Sequence, residues 1–127
     1  MSAMETIALN LTVNGRAQAW AVAPGERLSD ALRRAGYLGV KVGCYTGDCG
    51  TCTVLLDGKP ILACLMLAAQ AQGAELITVE GLARGPKLDP SEAQARECLS
   101  ATLCRCTGYE APVRAILSAA QRMKGEK

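Results

Sequence analysis

An α+β fold, with a strand-rich domain followed by a small helical one, is the class this sequence predicts. The first half holds two hairpin signals, Asn14-Gly15 and Asp57-Gly58, each set between short runs of strand-forming residues. Beyond Pro90 the apolar residues take up helical spacing, and a stretch of Gly, Pro, Lys and Arg separates the halves.

Ile7, Leu9, Leu11 and Val13 alternate with polar or small residues, so residues 7–13 read as a strand, and Arg16 to Val22 returns beside it. After the Pro24-Gly25 turn, Leu28 to Ala35 has helical composition, and Gly36 stands where a helix end favours a residue without Cβ strain. Residues 43–52 are rich in Gly, Cys, Thr and Asp and read as a loop. Thr53 to Leu56 and Lys59 to Ala63 form the second hairpin, and Leu76 to Val79 suggest one more strand. Gly81 to Pro90 has the texture of a linker, which puts the domains at residues 1–82 and 83–127. In the second domain Asp89 is expected to cap a helix with Pro90 first and Glu92 third, running to about Leu103. Another helix opens near Pro112 and is expected to bury Val113, Ile116, Leu117 and Ala120.

Composition narrows the function. Of 127 residues 50% are hydrophobic, yet Phe is absent and one Trp and three Tyr supply all the aromatic area, so a metal cluster or partner surface is expected to add stability. The net charge of +2 is scattered, without the basic run that nucleic acid requires. Residues 1–20 have no secretion-signal pattern, and the longest apolar stretch, Ile61 to Ala69, is too short to span a bilayer, so a cytoplasmic location is expected. In a reducing compartment seven cysteines point to metal ligation rather than disulfides. The absence of histidine excludes Rieske ligation, Cys/His zinc fingers and His-based triads. No carboxylate pair or phosphate loop is assembled, so no catalytic residue is expected in this chain.

Cys44, Cys49 and Cys52 form C-x4-C-x2-C, the plant-type spacing for a 2Fe-2S cluster, and Cys64 follows a hairpin later as fourth ligand. A loop wrapping a cluster with its amides turned to the sulfurs needs small residues, which Gly43, Gly47 and Gly50 provide. Two competitors are four buried structural thiols and a four-thiolate zinc site. The first does not account for a Gly-rich loop, and zinc sites prefer two short knuckles around a longer spacer.

From Gly43 through Gly58, with Cys64, Ile77 to Leu82 and Leu103-Cys104-Arg105-Cys106-Thr107-Gly108-Tyr109, the chain resembles the small iron-sulfur subunit of the molybdenum hydroxylases, the xanthine oxidase family. The resemblance implies a β-grasp, ferredoxin-like domain with the plant-type cluster, then a helical domain with a second 2Fe-2S cluster. It also implies a molybdopterin-binding large subunit, a flavin-binding subunit, and electrons that pass through the clusters between them, with molybdopterin and FAD on the partners only. Cys44, Cys49, Cys52 and Cys64 match the flavin-proximal ligands, whereas Cys104 and Cys106 match only half of the molybdenum-proximal set.

The family's other C-x2-C pair, on a helical hairpin ahead of the Pro90 helix, has no counterpart, and only Cys98 is left over. Three readings follow. The second cluster is absent and Cys98 is a buried thiol; or Cys98, Cys104 and Cys106 join an outside ligand; or two chains pair through their helical domains and offer Cys104 and Cys106 twice. Arg105 and Asp48 read as ordinary surface and loop residues, and Tyr109 as packing over the adjoining hairpin. The expected function is electron transfer within a molybdenum-dependent dehydrogenase or hydroxylase. The alternatives are a free-standing ferredoxin, which the near-neutral charge disfavours, and a zinc-holding or cluster-assembly protein.

Overall fold

Strands Ile7–Val13 (β1) and Arg16–Val22 (β2) pair antiparallel, from Ile7 opposite Val22 to Val13 opposite Arg16, in the computed structural model, which describes residues 5–82 and 89–125. Asn14 (φ 51°) and Gly15 (φ 78°) close the hairpin with positive φ at both turn positions, the conformation this residue pair accepts most readily. Asp57 (φ 49°) and Gly58 (φ 80°) do the same for Thr53–Leu56 (β3) and Lys59–Leu62 (β4). Helix Leu28–Arg34 (α1) ends at Gly36, whose φ of 97° turns the chain out of the helix.

Strand Glu75–Ile77 (β5) lies between the hairpins, parallel to β1 and antiparallel to β3, giving a five-stranded sheet in the order β2-β1-β5-β3-β4. Leu9, Leu11, Val13, Val22, Val54 and Leu76 from the strands join Leu28, Ala31 and Leu32 of α1 in one buried cluster. This mixed sheet with its packed helix is the expected β-grasp.

The last strand differs from expectation. It stops at Ile77, and Val79–Leu82 form a helical turn (α2) instead of extending it. Asn14 is the reason: its carboxamide accepts from the Thr78 amide (2.9 Å) and donates to the Thr78 hydroxyl (2.9 Å). The Gly81 and Leu82 amides then fold back onto the Thr78 carbonyl at 2.9 and 3.1 Å.

The chain divides into two units, Met1–Arg84 and Gly85–Lys127. Residues 83–88 of the expected linker lie outside the described residues. The second unit contains Glu92–Ser100 (α3) and Glu110–Gly125 (α4). Ser91, rather than Asp89, caps α3: its hydroxyl accepts from the Gln94 amide while the Gln94 carboxamide accepts from the Ser91 amide, a reciprocal box. Asp89 pairs instead with Lys124 at 2.6 Å. The helix stops at Ser100, short of Leu103, because the Ala101 and Thr102 amides turn back to the Cys98 and Leu99 carbonyls. On α4 only Val113 and Ala120 of the expected stripe are buried, and Ile116 and Leu117 are half-covered. No described helix is long and apolar enough to cross a membrane.

Candidate metal centre

The loop between α1 and β3 is tied at its base before it reaches the first cysteine. The Arg33 guanidinium donates to the carbonyls of Val40 (2.8 Å) and Leu38 (3.1 Å), and the Lys41 amide reaches the Thr51 carbonyl at 3.3 Å. Within it Tyr45, Gly47 and Gly50 take φ values of 58°, 87° and 70°. This left-handed path turns the Thr46 and Cys49 amides onto Cys44 Sγ, each at 3.4 Å.

The small residues are needed for space as well as for dihedral freedom. A Cβ on Gly43 would stand 3.1 Å from Cys49 Sγ, and one on Gly47 would stand 2.9 Å from Leu65 Cδ1. The β3–β4 hairpin returns the chain so that Cys64, in a 3-10 turn after β4, comes back to Cys52 just before β3. Cys49, Cys52 and Cys64 are buried and Cys44 is half-buried.

The thiols act on one another's ionisation: the Cys49 side chain adds a minor lowering at Cys44, and the Cys52 thiol and then the Cys44 charge raise Cys64. The Thr46 hydroxyl, followed by the Cys49 and Thr46 amides, pulls the Cys44 thiol down to about 6. That hydroxyl also lies against the Asp48 carboxylate and has one proton to give, so the two amides are the firmer cause. Burial, followed by the Cys52 thiol, pushes the Cys64 thiol up. Among the described residues no three His, Cys, Asp or Glu side chains converge as they would around one metal ion. A 2Fe-2S cluster asks for four thiolates, and Cys44, Cys49 and Cys52 on a loop lined with amides and glycines, with Cys64 returned towards Cys52 by the β3–β4 hairpin, fit that group.

In the second unit Cys104 Sγ and Cys106 Sγ are 3.5 Å apart, with the Thr107 hydroxyl 3.1 Å from Cys104. That hydroxyl, then the Cys106 and Thr107 amides, lowers the Cys104 thiol to about 7. The neighbouring Cys104 raises the Cys106 thiol. Tyr109 has a local task not foreseen from its position: its hydroxyl accepts from the Cys104 amide (2.7 Å) and donates to the Thr102 carbonyl (3.0 Å), closing the turn that carries both thiols. Cys98, expected to be buried on α3 if the second cluster is absent, is exposed there. Sequence reasoning also passed over Arg27 and Asp30, which hold the Tyr45 ring and hydroxyl; Tyr45's place beside Cys44 of the C-x4-C-x2-C motif was the available signal.

The 2Fe-2S iron-sulfur cluster binding domain family matches residues 11–83. The chain is 37% identical to the xanthine dehydrogenase iron-sulfur-binding subunit of Escherichia coli O157:H7, covering 92% of this chain and 96% of that one. It is 34% identical to the nicotine 6-hydroxylase small subunit of Paenarthrobacter nicotinovorans, covering 93% and 92%. The first alignment runs over 153 positions, more than the 127 residues present here, so that relative carries residues this chain lacks. Among solved structures, quinoline 2-oxidoreductase from Pseudomonas putida 86 superposes with a TM-score of 0.75 at 36% identity, over 92% of this chain and 97% of that one. The aldehyde oxidoreductase of Desulfovibrio desulfuricans ATCC 27774 also gives 0.75, at 32% identity over 94% of this chain and 17% of that one. With its β-grasp sheet, its cysteine loop and relatives covered over nearly their whole length, the chain belongs to the xanthine dehydrogenase and aldehyde oxidoreductase family, as a 2Fe-2S iron-sulfur subunit of molybdenum-dependent oxidoreductases.

Proposed function

We propose that this chain relays electrons from a molybdopterin-binding subunit towards a flavin-binding subunit or another acceptor, through a cluster held by Cys44, Cys49, Cys52 and Cys64. The observation that carries this reading is a cysteine loop whose Thr46 and Cys49 amides already point at Cys44 Sγ, with Cys64 returned towards Cys52 by the β3–β4 hairpin. Bound there, a 2Fe-2S cluster supplies a one-electron carrier. The Thr46 and Cys49 amides offset negative charge at the Cys44 sulfur, and burial of three of the four cysteines limits water.

The function divides with the chain, residues 1–82 housing this centre and residues 83–127 the second motif. All seven cysteines are free, in keeping with the cytoplasm. A free-standing ferredoxin is the weaker reading, since relatives covered over nearly their whole length are named as subunits. The test is to express the chain with its neighbouring subunits and measure iron, acid-labile sulfide and the electron paramagnetic resonance (EPR) of the reduced complex. Iron-free, colourless protein that purifies without a molybdopterin-containing partner would sink the proposal.

For the second motif the 3.5 Å spacing favours a half-site. Two sulfurs on one tetrahedral metal, with bonds of about 2.3 Å, lie about 3.8 Å apart. The residues that the relative has in excess would include the missing C-x2-C hairpin, between Leu82 and Pro90. A second copy related by a two-fold axis would restore four thiolates and cover Ile116 and Leu117. Iron content decides the matter: three irons per chain in a dimer supports a shared cluster, two per chain leaves the motif empty, and four per chain requires ligands from another subunit.

A further inference from the structure

Arg27, Asp30 and Tyr45 surround the cysteine loop without belonging to its ligand set. We infer that Arg27 and Asp30 are positioning residues which grip Tyr45 and thereby hold the Cys44–Cys49 loop and the Cys64 segment in one frame. This rests on the reading of Cys44, Cys49, Cys52 and Cys64 as cluster ligands.

Tyr45 sits at φ 58°, a region that a bulky side chain seldom enters unless its surroundings impose it. Two contacts do so. The Tyr45 hydroxyl donates to the Asp30 carboxylate at 3.1 Å, and the Arg27 guanidinium lies 4.5 Å from the ring centroid. Both partners stand at the start of α1, where Leu28 and Ser29 are fully buried, so the grip comes from an anchored element.

The same turn also holds the other ligand segment. Arg27 and Leu67 face each other as an antiparallel bridge, the Leu28 amide donates to the Met66 carbonyl at 2.8 Å, and the Ala68 amide donates to the Glu26 carbonyl at 2.8 Å. Those partners follow Cys64 by two to four residues. Backbone from Glu26 to Leu28 therefore secures Cys64, while the side chains of Arg27 and Asp30 secure Cys44.

The consequence falls on the amides. Tyr45 immediately precedes the Thr46 amide that donates to Cys44 Sγ, so its backbone angles decide whether that N–H faces the sulfur. If Tyr45 relaxes, the amide swings away, the more negative reduced state loses a donor, and the reduction potential falls.

The test uses the full chain, iron-loaded, with the midpoint potential from a dye-mediated titration and the EPR spectrum of the reduced protein. Tyr45→Gly removes both contacts at a residue that accepts positive φ freely; Tyr45→Phe and Asp30→Asn remove or weaken the hydroxyl contact and leave the ring over Arg27. Each is expected to retain iron and sulfide, and Tyr45→Gly is expected to lower the reduced-to-oxidised ratio at fixed potential about threefold, a shift of ~30 mV at 59 mV per tenfold. Tyr45→Phe and Asp30→Asn should shift in the same direction without adding to each other. Potentials and EPR spectra that match the wild type in the loaded variants would overturn the inference; if Tyr45→Gly does not load, unchanged values for Tyr45→Phe and Asp30→Asn do the same. Wild-type protein that takes up no cluster defeats the ligand assignment itself, a distinguishable result.

Discussion

Replacing Gly47 with Ala isolates what the left-handed path of the cysteine loop demands. At φ 87° an L side chain is strained, at a cost of about 1–2 kcal/mol. The added Cβ would also stand 2.9 Å from Leu65 Cδ1, but Leu65 is 59% exposed and its end is free to swing aside, so the backbone effect dominates. Against this, Ala reduces the freedom of the unfolded chain and returns about 0.4–1 kcal/mol. The net expectation is a loss of about 1 kcal/mol, roughly a fivefold change in the folded ratio. Gly25 is the control. It lies outside the positive-φ region and an added Cβ there meets nothing within 4 Å, so Gly25→Ala should gain the unfolded-state benefit undiminished, about 0.4–1 kcal/mol. Urea denaturation of the metal-free chain, followed by circular dichroism, should therefore place the two midpoints on opposite sides of the wild type. A Gly47→Ala midpoint at or above the wild-type value would refute the claim that the loop needs glycine for its dihedral angles.

Three further expectations follow from side chains elsewhere. Cys52→Ser should cost the protein one cluster's worth of iron and acid-labile sulfide and bleach its visible absorption, because Cys52 is buried and belongs to the proposed ligand set. Leu32→Ala removes a fully buried side chain of α1 and should destabilise by about 2–5 kcal/mol in a denaturation titration. The Thr78 hydroxyl, followed by the Gly39 amide, holds the Glu80 carboxyl below its ordinary range. A depressed carboxylate stabilises above its unfolded pKa of about 4.3 and loses that contribution as pH falls through the folded value, so Glu80→Gln should flatten the acid limb of stability against pH.

What the sequence made legible was whatever its neighbours decide. Asn14-Gly15 and Asp57-Gly58 specify hairpin turns by their own dihedral preferences, and the glycines set among Cys44, Cys49 and Cys52 mark the cysteine loop. The misses lie where a distant residue chooses between local options. Thr78 continues a strand pattern on paper, but Asn14, 64 positions away, takes both its amide and its hydroxyl, and the chain turns. Asp89 is an acceptable cap on its own; Ser91 prevails because Gln94 can reciprocate three residues later, a relation the sequence itself carries. The α4 stripe is a different kind of miss. Helical spacing states which residues want cover, whereas burial depends on how many layers are present to provide it, and one hairpin buries Val113 and Ala120 but leaves Ile116 and Leu117 half in solvent. The relative whose alignment outruns this chain has more polypeptide to supply such a layer. On the proposed reading, the same shortage of polypeptide would leave the two thiols of Cys104 and Cys106 where a 2Fe-2S cluster wants four.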